Sequence, residues 1–425
     1  MSLIKPFQAV VYNQQKFKGI SRLACPPYDV ISPERQDYYY GLDPYNFIHL
    51  LLPRESPGED KYIKAGERFR EWLKEGILLK DVSPAVYFYS HQYTLKGEKR
   101  IRLGFVALLE LDKGDGSVLG HEHTRLEAKE DRLKLIRQAG ANLSPIFVVF
   151  PDKKRIVQKL YRQVISQKPF IDIVDDEKSI HKLWRIDDPA ILSEIESKMS
   201  QEKIFIADGH HRYEVACSFR QELRQKFPHL ESPSFNYILA YFTNTDSRGL
   251  SILAIHRLVK LPAVIECEKF SGSLRDYFDL EEVKDRGRFL FLMEKSGRSE
   301  HVLGVYVNRK FLLLRLKNVR ILDKLIADKP REYRSLDVSI LNRIILKKIL
   351  DLNLDDKARI TFNPSMDELI RQVDTDPSYV AFFLNPVKIS QMMDVALGGN
   401  KMPPKSTYFY PKVASGLLVH KFKEF

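Results

Sequence analysis

At 425 residues, with 44% hydrophobic and 29% charged side chains, the chain can bury a sizeable core, and its length fits two domains or one large α/β body with an appended lobe. The net charge is +12 and the pI near 9.3. Lys and Arg nevertheless alternate with Asp and Glu throughout, and the absence of a basic block speaks against a nucleic-acid arm. Cys25, Cys217 and Cys267 are too few and too widely spaced for a disulfide framework or a CxxC zinc or redox pair. The N-terminal residues lack a signal peptide's apolar core and no long apolar run occurs, so the expectation is a cytoplasmic protein with no membrane partner.

In chain order, residues 1–50 are rich in Pro and Tyr. Pro26-Pro27 holds Tyr28-Asp29 extended, because a residue before proline is pushed away from helix. Ser32-Pro33-Glu34 starts a helix, with Ser32 as cap. Asp29 between them is either a ligand-facing carboxylate or a turn-stabilising one. Tyr62–Leu79 is an amphipathic helix ending at Gly76. Val86–Thr94 and Ile101–Leu111 form a hairpin about Lys96-Gly97. Gly114–Gly120 has the wrong spacing for a dinucleotide loop and reads as a turn.

His121-Glu122-His123 precedes a helix running to about Gln138, with Arg125 in its first turn. Thr124 and Glu127 have the spacing of a capping box. Two histidines two apart, if extended, face one way and Glu122 the other, which is compatible with a metal but is weak evidence for one. A strand (Ile146–Phe150), a helix (Lys153–Gln167), short strands in 168–186 and a helix (Asp188–Met199) come next. Beyond a strand–corner–helix at 204–226, Phe235–Thr243 is a further strand. This alternation predicts a layered domain over 1–248 and a second α+β domain over 249–425. The second carries strands at Ile252–Val259, Val302–Val307 and Phe311–Leu316, a helix at Leu336–Leu350, a strand at Val380–Leu384 and a last strand at Leu417–His420. Before that last strand, the Pro- and Tyr-rich segment from Met402 to Lys412, with the lysines Lys405 and Lys412 and the hydroxyls of Ser406 and Thr407, either grips phosphate or is a solvated strand edge.

The stretch with the sharpest chemistry is Ile204 to Glu214. It reads as a strand, a tight corner at Asp208-Gly209, and a helix with Ala216, Phe219 and Leu223 on one face. Asp208 is the natural N-cap. His210, His211 and Arg212 then crowd the positive end of the helix dipole, where cations are disfavoured by roughly 0.3–1 kcal/mol each. That cost is compensated if an anion sits there, held by backbone N–H groups, the Arg212 fork and a histidine. The alternative is that Asp208 and Glu214 neutralise the cluster locally.

Five segments in order resemble one family, domain of unknown function 1015: Pro26-Pro27-Tyr28-Asp29-Val30, His121-Glu122-His123-Thr124, Ala207-Asp208-Gly209-His210-His211-Arg212, Phe382-Phe383-Leu384-Asn385-Pro386 and Met402-Pro-Pro-Lys405-Ser406-Thr407. The Asp-Gly-His-His-Arg corner is also similar to the phosphate-binding corner of the ParB/sulfiredoxin-like superfamily, which includes free-serine kinases. That resemblance implies an α/β (α+β mixed) chain whose N-terminal domain is ParB/sulfiredoxin-like, with nucleotide phosphate at Gly209, His210, His211 and Arg212. His210 follows Gly209 where sulfiredoxin has its cysteine, which removes the sulfinic-acid reductase reading. ParB's DNA-binding helix-turn-helix is not evident.

The leading expectation is therefore a phosphotransferase using ATP or ADP with Mg²⁺ on a small hydroxylated metabolite, serine being the nearest analogy. Phosphoryl transfer asks mainly for charge clamps, a metal and a base that positions the hydroxyl. Asp29 or Glu122 is the candidate base. Asp208 and His123 complete the catalytic candidates, and Arg125, Lys405 and Ser406 are further phosphate contacts. Two alternatives stay open: a metal-dependent hydrolase built on His121, His123, His210 and His211, and a non-catalytic nucleotide or nucleic-acid binding protein.

Overall fold

A computed structural model describes residues 3–424 apart from 113, 115, 262–266, 355 and 357. Of the turn expected at Gly114–Gly120, residues 113 and 115 beside and within it lie outside the described residues, and Val118–Leu119 is a short strand. The chain forms two units. One comprises Met1–Gly120, Thr124–Ser251 and Pro411–Phe425; the other comprises His121–His123 and Ile252–Tyr410.

The first unit is organised on a nine-stranded mixed sheet. Its strands are β1 (Ile4–Lys5), β2 (Val86–Leu95), β3 (Glu98–Glu110), β4 (Val118–Leu119), β5 (Ile146–Phe150), β6 (Ile171–Val174), β7 (Ile180–Ile186), β8 (Ile204–Asp208) and β9 (Tyr237–Asn244). The order is β4-β8-β5-β9-β3-β2-β7-β6, with β1 beside β3. The hairpin turn of β2 and β3 has positive φ at both Lys96 and Gly97, the backbone twist that joins two such strands with two residues. β8 runs parallel to β4, and β9 parallel to β5, while the remaining pairs are antiparallel.

Period-two alternation sorts the sheet's side chains onto two faces. One face (Phe88, Phe105, Ile146, Val148, Ile206, Phe242) packs against helices α1 (Ile156–Val164), α2 (Pro189–Met199) and the start of α3 (His210–Lys226). The other is buried too, yet polar and aromatic: Tyr89, His91, Arg102, Phe147, His181 and Tyr241. Two further helices, α4 (Lys61–Lys74) and α5 (Leu126–Ala139), pack together, and α5 also packs on α3. Helix α5 ends at a left-handed Gly140.

The second unit holds a six-stranded antiparallel sheet with Phe289, Phe383, Leu258 and Leu369 in its core. The chain is thus mixed α/β with a second α+β unit, as its sequence pattern implies. Among the described residues, no helix is long and apolar enough to cross a membrane.

Four local expectations change. The expected strand Ile252–Val259 is broken into Ser251–Leu253 and His256–Lys260. The expected helix Leu336–Leu350 becomes one turn of α-helix continued by a π-helix over Leu341–Ile349. The last strand shrinks to His420–Lys421, paired with Ala141–Asn142. The capping box at Thr124 and Glu127 does not form: α5 starts after Arg125 with no side-chain cap, because Thr124 Oγ1 instead donates to Glu214 at 2.5 Å.

Candidate functional site

Strand β8 delivers the corner through an irregularity. Phe205 and Ile206 pair in register with Val149 and Val148, and then Asp208 pairs with Phe147. The extra residue is a bulge, which re-aims the side chains beyond it. In unbroken alternation Asp208 would lie with Ile204 and Ile206 in the hydrophobic core. Opposite Phe147 it is turned to the polar, aromatic face instead.

Asp208 is consequently not the helix cap that its sequence position suggests. The N-cap of α3 is Gly209, in the left-handed region at φ 91°, with no side-chain cap bond. Asp208 binds two cations: one carboxylate oxygen accepts from Arg212 Nη2 at 2.8 Å and the other is paired with Lys412 Nζ. Arg212 also donates to the Pro145 carbonyl. Its guanidinium lies so close over Gly209 that a Cβ there would stand 3.1 Å from it and 2.9 Å from Ile146 Cγ2. Arg212 Nε is buried without a hydrogen-bond partner.

Asp208 therefore does neutralise part of the cluster, as the bland alternative required. Glu214 does not, since it takes Thr124 and Lys129. Arg212 and Lys412 against Asp208 leave a net positive charge at the N-terminal end of α3. His210 is buried, and His211 Nε2 accepts from the Arg125 backbone N–H at 2.9 Å, so its Nδ1 carries the proton.

Beside Arg212 lies a pocket of about 460 Å³, partly open to solvent, between α5, α3 and the sheet. Its walls are mainly apolar (Leu51, Leu135, Val215), with Tyr28, Arg132, Asn142 and Ser144 as polar groups. Tyr28 brings the Pro-Pro-Tyr-Asp segment here. Its ring carries the Arg132 guanidinium at 4.3 Å, and its hydroxyl is pushed up to about 12, by burial first and then by Asp29, with Arg212 and Arg132 acting in the opposite sense. Arg132 is held by Asp131 and by the Leu51 carbonyl at 2.7 Å. Asp29 itself is exposed on a single turn of 3₁₀-helix, Tyr28–Val30.

The structure thus brings Tyr28, Asp208, Gly209, Arg212 and Lys412 together, with Asp29 next in the chain to Tyr28. Tyr28 and Arg132 line the pocket without having been singled out from the sequence, whereas Lys412 is one of the two lysines of the expected phosphate-gripping segment. Arg132 had a signal, being a charged residue on the same helical stripe as Leu135, Ile136 and Ala139.

Other expected site residues belong to the second unit. There His121 is buried with Nε2 2.9 Å from Thr407 Oγ1, Glu122 is half-buried and His123 exposed. Lys405 is exposed with a left-handed backbone, and Ser406 donates to the Pro403 carbonyl at 2.5 Å. The Pro404 and Lys405 carbonyls accept from Arg257, a fully buried guanidinium whose pKa burial lowers to about 9. Among the described residues, no group of three potential metal ligands close enough for one ion includes His121, His123, His210 or His211.

No curated protein matches the chain. Among solved structures it aligns with a free serine kinase variant in complex with ADP, at 12% identity and TM-score 0.34 over 72% of this chain and 87% of that one. A conserved hypothetical protein from Pyrococcus furiosus aligns at 12% identity and TM-score 0.34, over 72% and 92%. SbnI with a C-terminal truncation, from Staphylococcus aureus, aligns at 9% and 0.36, over 74% and 87%. Likeness at this level places no side chain and no ligand. The family model described as protein of unknown function, DUF1015, matches residues 4–339, and the chain belongs to that family.

Proposed function

We propose that the Gly209 corner seats a nucleotide phosphate and that the chain is a nucleotide-dependent phosphotransferase acting on a small hydroxylated metabolite. The observation that carries this reading is Arg212. It is pinned by Asp208 and Pro145 against Gly209, at the start of a 17-residue helix, with Nε unpartnered and its side chain lining the pocket. A guanidinium fixed on its inner edge presents its remaining donors in one direction, which suits a phosphate oxygen. The first N–H groups of α3 and Lys412 add to the same positive end. The corner's resemblance to that of the free-serine kinases is the support for a nucleotide and for a serine-like acceptor.

In this reading Asp208 orients Arg212 and Lys412. Both of its oxygens are committed to those cations, so it does not fit as a magnesium ligand. Asp29, exposed beside the pocket-lining Tyr28, fits better as the carboxylate that meets either Mg²⁺ or the acceptor hydroxyl. The roles of His210 and His211 as phosphate donors, and of Arg125 as a further contact, belong to the same proposal, whereas Glu122, His123, Lys405 and Ser406 lie in the second unit. Mg²⁺ would supply charge neutralisation between the nucleotide's phosphates.

Calorimetric titration of the whole chain with ADP and with ATP, in the presence of Mg²⁺, tests this. Binding at millimolar nucleotide or tighter is expected, and Lys412→Met should weaken it by about tenfold, equivalent to about 1.4 kcal/mol. Absence of heat at millimolar nucleotide, or identical binding by Lys412→Met, overturns the proposal.

A further inference from the structure

The polar face of the first unit's sheet carries a second cluster, sharing no residue with the corner. His91 on β2 and His181 on β7 are directly opposite in register, with ring centroids 4.2 Å apart, and each is 1% exposed. Asp175, in the turn joining β6 to β7, places Oδ2 2.9 Å from His181 Nε2. One potential ligand atom from each of the three lies within 4.8 Å of the others, the only such group among the described residues.

Both rings are held from behind, though only the Tyr89 hydroxyl can accept the N–H that a metal-ligating histidine donates on its far side. Tyr89 Oη sits 2.6 Å from His181 Nδ1, and Arg102 Nη2 sits 3.2 Å from His91 Nδ1. Each ring therefore has Nδ1 engaged and Nε2 left for Asp175 or for a ligand. His91 Nε2 is buried with no hydrogen-bond partner. A buried polar atom left unpaired costs about 1–3 kcal/mol, so its presence asks for a missing partner.

We infer that His91, His181 and Asp175 form a binding site for one divalent transition metal ion, with Zn²⁺ the best match. Two imidazoles and one carboxylate are a recurrent three-ligand set for zinc, which leaves a fourth position for water. The ion enters past Asp175, whose side chain is 27% exposed while both histidines are sealed. Local charge permits it: Asp175, Asp176 and Glu177 are consecutive, against Arg35 on Asp176 and Arg102 behind His91.

Arg102 sets the cost. A guanidinium only donates, so in the empty site His91 Nδ1 accepts and Nε2 holds the proton. Metal binding moves that proton to Nδ1 and turns the Arg102 donor away, with no proton released overall. Affinity should therefore fall short of a site backed by carboxylates.

The test is titration of the chelator-stripped, full-length protein with Zn²⁺ alone, read by calorimetry and by elemental analysis after desalting. One ion per chain is expected. Asp175→Asn, which keeps the turn's shape, should weaken binding at least roughly tenfold, and His91→Gln roughly a hundredfold. Circular dichroism of each variant separates loss of the site from loss of the fold. Failure of the folded, stripped protein to bind Zn²⁺ overturns the inference, as does stoichiometric binding that both variants retain unchanged.

Discussion

Gly209→Ala is expected to lower the stability of the first unit by about 2 kcal/mol and to weaken nucleotide binding by tenfold or more. Two costs add. The residue sits at φ 91°, where an L side chain is strained by roughly 1–2 kcal/mol. The new Cβ would also meet Ile146 Cγ2 at 2.9 Å and the Arg212 guanidinium at 3.1 Å, so one of them must move. Ile146 belongs to the central β5 and is fully buried, so Arg212 is the group that gives way. Its bonds to Asp208 and Pro145 then loosen, which is how a single methyl group reaches the phosphate seat. Urea unfolding reads the first effect and ADP titration the second. A variant with unchanged stability and unchanged binding contradicts the geometry assigned to the corner.

The second large effect is loss of stability in acid. His256 in the second unit is buried beside Arg257, and its pKa is lowered to about 3, by burial first and Arg257 second. His420 in the first unit is buried and lowered to about 4. The chemistry agrees: His256 Nδ1 accepts from the Leu384 backbone N–H at 3.2 Å, and a protonated ring cannot. Both pKa values lie below the unfolded value of about 6.5, so the unfolded chain binds more protons in that window. Stability is therefore fully present above about pH 6.5 and falls as the pH drops through 6 towards 4 and 3. One pKa unit corresponds to about 1.4 kcal/mol, so each histidine accounts for a few kcal/mol at the bottom of the window. Thermal melting across pH 7 to 4 should show a steep decline. His256→Asn keeps an acceptor for Leu384 without titrating, and it should flatten the second unit's decline. A melting temperature independent of pH over that range contradicts this assignment.

Periodicity and turn chemistry are the signals that make part of this fold legible in its sequence. The hairpin about Lys96-Gly97, the strand Ile146–Phe150 and the strand–corner–helix at Gly209 all have local signals, and all appear. Asp208 shows where local reading stops. The cap it was expected to provide requires its side chain to reach back to the first N–H groups, whereas a bulge turns it towards Lys412, 204 residues on. Arg132 and Lys412 each lie in a stretch with a sequence signal, but their meeting at one corner is a product of tertiary placement. The His91–His181–Asp175 cluster is likewise a product of strand pairing, since His91 and His181 are adjacent only once β2 lies beside β7. Tyr87, Tyr89, His91 and Tyr93 alternate along β2, and the burial of all four shows only in the structure.

Whether a phosphate sits at the Gly209 corner is decided by a crystal structure of the full chain with ADP. A phosphate group is expected within about 3.2 Å of Arg212 and of a backbone N–H at the start of α3, with the rest of the nucleotide directed to the pocket lined by Tyr28 and Arg132. A nucleotide whose phosphates contact neither Arg212 nor the N-terminus of α3 contradicts the claim.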